Sequence, residues 1–419
     1  MRPPTGAEAV AAERPSTQLW LPVAAVAAAV GLVYMAMFAV PPLITIFVDD
    51  LRLSHPQAGA LMSVCLGFFL VTSVVSGRLA DRYGPRRVVL AGLVLCGTAS
   101  VCFPLTDSFP LFLLWRAAVG IAGGFIFAPG IAFVASLLGS RTSLGVGVLV
   151  CGLSTGTTVA FFATRFLAEA LDWRWPFWIY GAAALVGTAV FGAVSGGVSA
   201  GDDRRRRDPT IPVRDVLASP PFRFVLAGLF VGMFIAYGVL TWVPPYLDEA
   251  AGFSTAQISF TSGLMTIVAI PGTLTSGWLA HRTGQPLAVA GAGLSVTLLV
   301  AVFAVSNSPS HALATAVATL CILGTAHALA PMNSIPPMLF GRAGSGTAAG
   351  LAAAAGMSGA VTSTYAGGWI VDATGGYRAV FGVYAAAAAV VSLVIIPLGV
   401  LSLRRWRTPA GTLRSTRIP

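Results

Sequence analysis

The chain has 419 residues, of which 56% are hydrophobic and 10% carry a formal charge, whereas soluble globular proteins average about 25% charged residues. So few charges cannot cover a water-facing surface, and a mean hydropathy of +0.83 excludes a solvated disordered chain, so the composition predicts a polytopic membrane protein. The net charge of +10 does not indicate a nucleic-acid partner, because the 25 basic residues, all arginine, lie between apolar segments rather than on one water-facing surface.

Twelve segments are apolar and long enough to cross a bilayer as helices, which takes about 20 residues each. Helices are required because the backbone must satisfy its own hydrogen bonds in lipid. The first apolar run is longer than the roughly 7–15 residues of a signal-peptide core, so we expect it to be a retained helix. The predicted spans cover residues 19–47, 57–77, 88–106, 109–138, 142–164, 175–198, 224–247, 256–280, 284–306, 312–340, 343–371 and 379–403.

Arginine is distributed unevenly over the connections between these spans. With both termini in the cytoplasm, the cytoplasmic side holds 20 of the 25 arginines and the outer side holds 4. Cytoplasmic loops of membrane proteins carry such an excess, so we expect both termini inside. The longest polar stretch separates the sixth and seventh spans. The predicted organisation is a cytoplasmic tail (1–18), a six-helix bundle (19–199), a cytoplasmic linker (200–223), a second six-helix bundle (224–403) and a cytoplasmic tail (404–419).

The two halves of the chain repeat each other. Residues 77–85, Gly-Arg-Leu-Ala-Asp-Arg-Tyr-Gly-Pro, match residues 277–286, Gly-Trp-Leu-Ala-His-Arg-Thr-Gly-Gln-Pro. Upstream, Ser-His-Pro-Gln at 54–57 matches Ser-Thr-Ala-Gln at 254–257, and the offset stays between 200 and 203 over most of each half. Two bundles repeated in one orientation place a cavity between them near the middle of the membrane. The repeat therefore predicts a carrier of a solute.

Residues 77–87 resemble the signature loop of the major facilitator superfamily, G-x-L-a-D-R-x-G-x-R-R, at the family's position after the second span. Span count, sidedness, linker and repeat extend the resemblance over essentially the whole chain. It implies the family's fold and secondary transport, with a cytoplasmic latch in which Asp81 docks on a helix end and a nearby arginine. The second copy has His281 in place of the aspartate, so its latch is expected to be weaker or pH-dependent. The implied gating residues are Gly77, Asp81, Arg82, Gly84, Arg86 and Arg141.

Arg116 is the one formal charge well inside a predicted span, and the motif Arg116-x-x-x-Gly120 is similar to the family's fourth-helix pattern R-x-x-x-G. A charge roughly 10 Å deep must face the protein interior or water. Two roles remain open: hydrogen bonds to backbone carbonyls or a helix end that hold the fold, and contact with a solute or coupling ion. The fifth span lacks the family's antiporter run G-x-x-x-G-P, which disfavours drug–proton antiport. Spans 57–77 and 256–280 lack the mid-helix arginine that the superfamily's nitrate carriers have in their second and eighth helices, which disfavours that subfamily.

No Asp or Glu lies at mid-depth in any predicted span, so arginine and histidine give the interior a mildly positive character that favours an anionic or neutral solute. His327 is the one histidine deep in a span and either binds a backbone carbonyl or serves as a proton or solute site. The five cysteines lack metal-binding spacing and no ATP-binding motif is present, so we expect no metal or cofactor, and a gradient must supply the energy. The predicted solute-binding residues are Tyr34, Arg116, Arg165, Tyr237, Trp242, His327 and Asn333.

The sequence thus predicts a secondary active transporter in the cytoplasmic membrane that carries a small organic or inorganic anion by alternating access, coupled to protons and acting as a monomer. Residues 241–247, Thr-Trp-Val-Pro-Pro-Tyr-Leu, loosely resemble the T-W-x-P-x-Y-L segment of cyanate-permease-like small-anion carriers. The alternatives are an efflux pump for hydrophobic drugs and a non-transporting sensor on the same scaffold. A membrane enzyme is not expected, because the acidic pairs at 49–50 and 202–203 lie on opposite faces and cannot share a magnesium ion.

Overall fold

The structure is a computed structural model that describes residues 16–138, 142–196, 212–306 and 309–406. Within these residues the regular structure is helical and no strand is present, which confirms the predicted all-α class. Arg141, one of the predicted gating residues, lies outside the described residues, as do most of each predicted tail and the first half of the predicted linker.

Sixteen α-helices follow one another in the described part of the chain. Several begin at a proline, such as Pro85, Pro220 and Pro286, because proline fits the first turn of a helix, where its missing N–H is not needed. The helices are α1 (Ser16–Met37), α2 (Ile44–Asp50), α3 (His55–Tyr83), α4 (Pro85–Cys102), α5 (Phe109–Leu138), α6 (Thr142–Ala170), α7 (Arg174–Val194), α8 (Val213–Ala218), α9 (Pro220–Pro245), α10 (Thr255–Ile267), α11 (Ala269–Thr283), α12 (Pro286–Val296), α13 (Ala301–Val305), α14 (His311–Thr374), α15 (Arg378–Val390) and α16 (Ile396–Trp406). Short 3-10 turns cover Pro41–Leu43, Phe103–Leu105 and Thr297–Val300, and π-helical turns cover Tyr246–Ala250 and Val391–Ile395.

Eleven helical segments among the described residues are long and apolar enough to cross a membrane, which agrees with the membrane class predicted from composition. The predicted eleventh span, residues 343–371, is not one of them. The count of twelve spans and the cytoplasmic position of both termini therefore stay predictions.

Helix α14 contains both the tenth and the eleventh predicted spans and is 64 residues long, far longer than a helix needs to be to cross the roughly 30 Å hydrocarbon core. Residues on either side of its middle contact the same stretch of α9. A Cβ atom added to Gly228 would lie 2.6 Å from Met332 Cε, and one added to Gly356 would lie 3.1 Å from Met233 Cγ. Because Met332 and Gly356 would be about 36 Å apart along a straight helix, the chain must reverse between them. α14 therefore consists of two arms that correspond to the two predicted spans.

Contacts divide the chain into two compact units. Unit 1 comprises Met1–Ala39, Phe68–Ala160 and Leu171–Arg205, and unit 2 comprises Val40–Gly67, Phe161–Ala170 and Arg206–Pro419. In unit 1, α1 packs against α5 and α7, and α4 packs against the same two helices. In unit 2, α14 packs against α9, α10, α11 and α12. The predicted six-helix bundles, which follow the sequence halves, stay a prediction.

Close helix contact in unit 1 depends on glycine. A Cβ atom on Gly152 would collide with the carbonyl oxygen of Ala27, and one on Gly156 would collide with that of Gly31. Helices in lipid associate mainly through packing of small residues that let backbones approach each other. The glycines of the fifth predicted span, which is part of α6, therefore let α6 pack closely against α1.

The sequence repeat builds the same helix start twice. At the start of α3 the backbone N–H of Ser54 donates to Gln57 Oε1 at 2.9 Å, and the Gln57 N–H donates to Ser54 Oγ at 3.4 Å. At the start of α10 the corresponding distances for Ser254 and Gln257 are 3.0 and 3.4 Å. Both are reciprocal capping boxes, which satisfy two otherwise unpaired N–H groups.

Both copies of the repeated signature loop have a glycine with positive φ directly after the helix, although ψ differs, at 140° for Gly84 and 15° for Gly284. Gly84 has a φ of 85° and Gly284 a φ of 64°, values in the left-handed region that favours glycine. A new helix then begins within two residues, at Pro85 and at Pro286. The tight turn predicted at Gly84 is present in the structure.

Candidate functional site

Unit 2 contains a cleft of about 180 Å³ between α9 and α14, closed on one side by the first residue of α11. Its walls are apolar apart from the hydroxyl groups of Tyr237 and Thr325, and no charged side chain of the described residues lines it. A pocket of this kind suits a small solute with an apolar body and few polar groups. The lining residues are Gly228, Leu229, Gly232, Met233, Ala236, Tyr237, Leu240, Ala269, Ile322, Thr325, Ala326, Ala328, Leu329 and Met332.

Of the predicted solute-binding residues, the structure places Tyr237 in this cleft. His327 lies on the same stretch of α14, but its Cβ would be 3.1 Å from a Cβ added to Gly293, so it packs towards α12. Asn333 is exposed, and its side-chain nitrogen donates to the backbone oxygen of Leu329 at 2.9 Å. The sequence could not assign these helix faces, because helical spacing alone does not say which face meets a cleft.

Trp242 is fully buried on α9. Its ring packs over Gly59 of α3, where an added Cβ atom would lie 3.1 Å from Cζ2, and over Gly367 of α14. Ring centroids of His55 and Tyr377 each lie 6.4 Å from that of Trp242. In this conformation the Trp242 ring fills the space between α9, α3 and α14, and its indole N–H has no acceptor among the described residues.

Tyr34, the predicted solute-binding residue of the first span, belongs to an aromatic cluster in unit 1. Its ring centroid lies 6.3 Å from that of Phe38, 6.2 Å from that of Phe69 and 6.3 Å from that of Phe127. These distances are typical of aromatic packing, and Tyr34 is buried. The structure therefore shows Tyr34 in contact with aromatic side chains of α3, α5 and the turn after α1.

Arg116 lies on α5 in unit 1 and is 1% exposed. Its Nη1 donates to the backbone oxygen of Ala36 at 3.0 Å, and its Nη2 donates to that of Met37 at 2.5 Å. These carbonyls lie at the end of α1, where the last turn lacks intrahelical donors and where Pro41 has no N–H to offer. The geometry thus matches the first of the two roles left open by the sequence, in which the guanidinium holds a helix end.

Arg165, near the end of α6 in unit 2, contacts two carboxylates rather than an open cavity. Its Nη1 lies 2.6 Å from Asp248 Oδ2 and its Nε lies 2.7 Å from Glu169 Oε1. Nη1 also donates to Thr45 Oγ1 at 2.9 Å, and that hydroxyl donates to Asp248 at 2.6 Å. The guanidinium therefore joins α2, α6 and the π-helical turn after α9 at the end of the helices that the arginine distribution places outside. This arrangement favours a role in closing that end over the predicted contact with solute.

A second polar cluster at the same end was not predicted from the sequence. His55, the first residue of α3, has its Nδ1 2.6 Å from Asp372 Oδ1 and its Nε2 3.4 Å from Glu249 Oε2. The Tyr377 hydroxyl donates to Glu249 at 2.8 Å. Burial raises the pKa of Tyr377 above its usual value of 10, and the carboxylate of Glu249 raises it further, so the hydroxyl stays protonated. The repeat in the sequence aligns His55 with Thr255, and this histidine in place of a threonine was the one sign of the cluster that the sequence offered.

The predicted cytoplasmic latch is not formed among the described residues. Asp81 is exposed and makes no ion pair with any residue that the structure describes. The Arg82 guanidinium lies over the ring of Tyr83, 5.3 Å from its centroid. Among the described residues, no atom outside the adjoining turns of its own helix lies within 4 Å of a Cβ added to Gly77. The latch stays a prediction.

Arg86 of the same loop has a definite partner in unit 1. Its Nε donates to Ser195 Oγ at 2.8 Å, and its Nη2 donates to the backbone oxygen of Gly192 at 2.8 Å. Both acceptors lie at the end of α7, where a cation offsets the partial negative charge of unpaired carbonyls. Arg86 therefore fixes the loop to a helix end.

Comparison with known sequences agrees with this architecture. The sequence model described as "Major Facilitator Superfamily" matches residues 26–364. A protein of Mycobacterium tuberculosis strain H37Rv, named "Probable nitrate/nitrite transporter NarK2", is 28% identical over 285 residues, which cover 66% of this chain and 70% of that protein. The 3-(3-hydroxy-phenyl)propionate transporter of Escherichia coli K12 is 26% identical over 373 residues, which cover 85% of this chain and 87% of that protein.

The fold is also similar to that of a solved structure, a bacterial homolog of the human lysosomal transporter Spinster in an inward-facing and unoccupied conformation. The TM-score is 0.75 over 93% of this chain and 98% of that chain, at 15% sequence identity. At this identity the similarity is one of fold alone.

Proposed function

Because the chain belongs to the Major Facilitator Superfamily, we propose that it moves a small organic anion with an apolar body across the cell membrane by alternating access. The family and the relatives are transporters and not enzymes, and the chain is a multi-pass membrane protein. The observation that supports this solute class is the small apolar cleft between α9 and α14. The names of two relatives, which specify nitrate or nitrite and a hydroxyphenylpropionate, add support for an anion.

The composition of the cleft separates the solute classes. A buried charge of either sign needs a partner of opposite charge, and the described lining has none, so the cleft accounts for the apolar body of the solute, whereas the names of the relatives support its anionic group. A strongly hydrated inorganic anion gains little from apolar walls, and neither span 57–77 nor span 256–280 supplies an arginine for it. Pockets for drug-sized molecules are typically about 300–1,000 Å³, which is larger than the 180 Å³ of this cleft. A solute whose apolar body is a single ring or short chain, with its anionic group outside the apolar walls, fits best.

Binding tests this choice directly. We expect benzoate or benzenesulfonate to raise the melting temperature of the purified protein, because each combines an apolar ring with one anionic group. Nitrate and the cationic dye ethidium, added at the same concentration, are the controls and should leave the melting temperature unchanged. Stabilisation by ethidium without stabilisation by either aromatic anion would contradict the proposal and favour the drug-efflux alternative.

Tyr237→Phe should weaken binding of the aromatic anion. The substitution removes a hydroxyl of the cleft wall and keeps the ring, so we expect a loss of roughly 2- to 10-fold in affinity, the value of one hydrogen bond. Thr325→Val is the matched control. The Thr325 hydroxyl already donates to the backbone oxygen of Ile322 at 2.9 Å, so its removal should leave the affinity for the anion unchanged. Titration calorimetry measures both. Equal affinity in Tyr237→Phe and wild type would remove Tyr237 from the solute site.

We propose that proton coupling uses His327. It is half-buried between Ala326 and Ala328, which line the cleft, and an imidazole ring can both donate and accept a hydrogen-bonded proton. His327→Gln should keep solute exchange but lose accumulation driven by a pH gradient, which for one coupled proton is about tenfold per pH unit. His311→Gln, also half-buried on α14, should accumulate solute like wild type. Accumulation at the wild-type level in His327→Gln would exclude this role.

A further inference from the structure

The repeat produces one contact twice at the outer end of unit 2. His55 begins α3 and binds Asp372 at the end of α14. At the equivalent position, Thr255 begins α10 and donates to Glu169 at the end of α6. The offsets between the paired positions are 200 for the helix starts and 203 for the carboxylates, as in the rest of the repeat. One copy of this contact therefore carries a titratable donor, and the other carries a hydroxyl.

The two nitrogens of the His55 ring face two different carboxylates, Asp372 at 2.6 Å and Glu249 at 3.4 Å. An ionised carboxylate only accepts hydrogen bonds, so both contacts form together only when both ring nitrogens carry a hydrogen. Neutral histidine has one N–H and can satisfy one of them. The geometry is therefore the one that an imidazolium ion would make with two ionised carboxylates.

We infer that His55 is a proton-binding site of the outer gate, and that a proton bound from the external solution holds this gate closed. The outer gate is the set of helix ends joined by His55, Glu249 and Asp372. The inference rests on the proposed function, because it takes the alternating-access motion and the predicted sidedness as given.

Water reaches the site through a cleft of about 780 Å³ at the same end of unit 2. His55 keeps 17% of its side chain exposed, and the cleft is also lined by Tyr246 and Arg378. The proton comes from this water, binds the lone pair of the unprotonated ring nitrogen, and returns to the same water when the helix ends separate. No other bond forms or breaks, so the step regulates the gate and transfers no proton across the membrane.

The other charged groups around the ring leave His55 as the group that responds near neutral pH. Tyr377 stays protonated and donates to Glu249, and Asp248 is held by Arg165 at 2.6 Å. Arg378, on the neighbouring helix α15, adds a positive charge to the lining of the same cleft. Closure is therefore favoured at low external pH and lost as the pH rises and the ring gives up its proton.

The gate joins segments that come from different halves of the sequence. His55 belongs to the first half, and Glu249 and Asp372 belong to the second half. Below it, the Ser63 hydroxyl lies 2.5 Å from that of Thr364 and is buried. Ser63 should become reachable from outside when these segments separate, so a cysteine at this position reports gate opening.

Labelling of Ser63→Cys by a membrane-impermeant maleimide tests the inference. The five native cysteines are first replaced, and the protein is inserted in one orientation in proteoliposomes. Rates are divided by the rate for the denatured protein at the same pH, which removes the pH dependence of the thiol itself. We expect labelling to be roughly fivefold faster at external pH 8 than at pH 5.5, the effect of a partly exposed ion pair. His55→Gln and Asp372→Asn should each abolish this difference.

Thr255→Val is the matched control at the equivalent contact and should keep the pH difference. Unchanged pH dependence in His55→Gln, or its loss in Thr255→Val, would overturn the inference. Circular dichroism and the elution volume of each variant establish that it is folded. Because labelling needs no solute, a pH-dependent gate in a protein that carries no organic anion would contradict the proposed function alone.

Discussion

Arg116→Gln should lower the free energy of unfolding by about 3 kcal/mol, the combined value of two hydrogen bonds from a charged donor to buried carbonyls. The guanidinium is 1% exposed and donates to Ala36 and Met37 at the end of α1. Glutamine is shorter, so it cannot reach both oxygens. We expect poor yield and an unfolding transition at lower denaturant concentration, measured by tryptophan fluorescence in detergent.

Two comparisons separate this structural role from a role in binding. Arg174→Gln should change stability little, because Arg174 is 36% exposed at its side chain and lies 3.4 Å from Asp172. Arg116→Lys should be intermediate, since lysine keeps the charge but not the planar fork of donors. Wild-type stability in Arg116→Gln together with lost affinity for an aromatic anion would reverse the assignment and make Arg116 a solute contact.

Arg165→Gln should open the outer end of the protein. The substitution leaves Asp248 and Glu169 without their shared cation, and Arg165 is only 10% exposed at its side chain. Removing one partner of a buried ion pair commonly costs about 3–5 kcal/mol, and exposure of the two carboxylates at this end reduces that figure. We expect labelling of Ser63→Cys to rise roughly tenfold, which corresponds to about 1.4 kcal/mol, at both low and high external pH.

A double-mutant cycle provides the control. Asp248→Asn alone should have a smaller effect, because Arg165 keeps Glu169, and the double variant should label more slowly than Arg165→Gln because one repelling carboxylate is gone. If the two substitutions simply add, Arg165 and Asp248 do not act as a pair. If Arg165→Gln weakens binding of the aromatic anion and leaves labelling unchanged, Arg165 contacts solute, as the sequence suggested.

Features encoded locally were predictable from the sequence. The repeat at 54–57 and 254–257 predicts two similar helix starts, and the structure has a capping box at each. The glycines of the signature loop predict tight turns, and Gly84 and Gly284 both have positive φ. Apolar length alone predicts most of the spans, because the hydrocarbon thickness sets the length of a helix that crosses it.

Partners across long sequence separations were not predictable. Arg165 meets Asp248, 83 residues away, and His55 meets Asp372, 317 residues away. Such pairs depend on which helix ends pack together, and span lengths and spacing do not specify this. For the same reason the sequence could not tell that Tyr237 lines the cleft whereas His327 packs towards α12.

Counterflow in proteoliposomes tests the central claim most directly. Vesicles loaded with a high concentration of unlabelled benzenesulfonate, an anion that stays charged and crosses lipid poorly, are diluted into a trace of the labelled compound. The account predicts that labelled benzenesulfonate transiently accumulates inside above its external concentration, and that protein-free vesicles show no accumulation. Binding of benzenesulfonate by the folded protein without any counterflow would contradict transport and leave the non-transporting sensor as the better description.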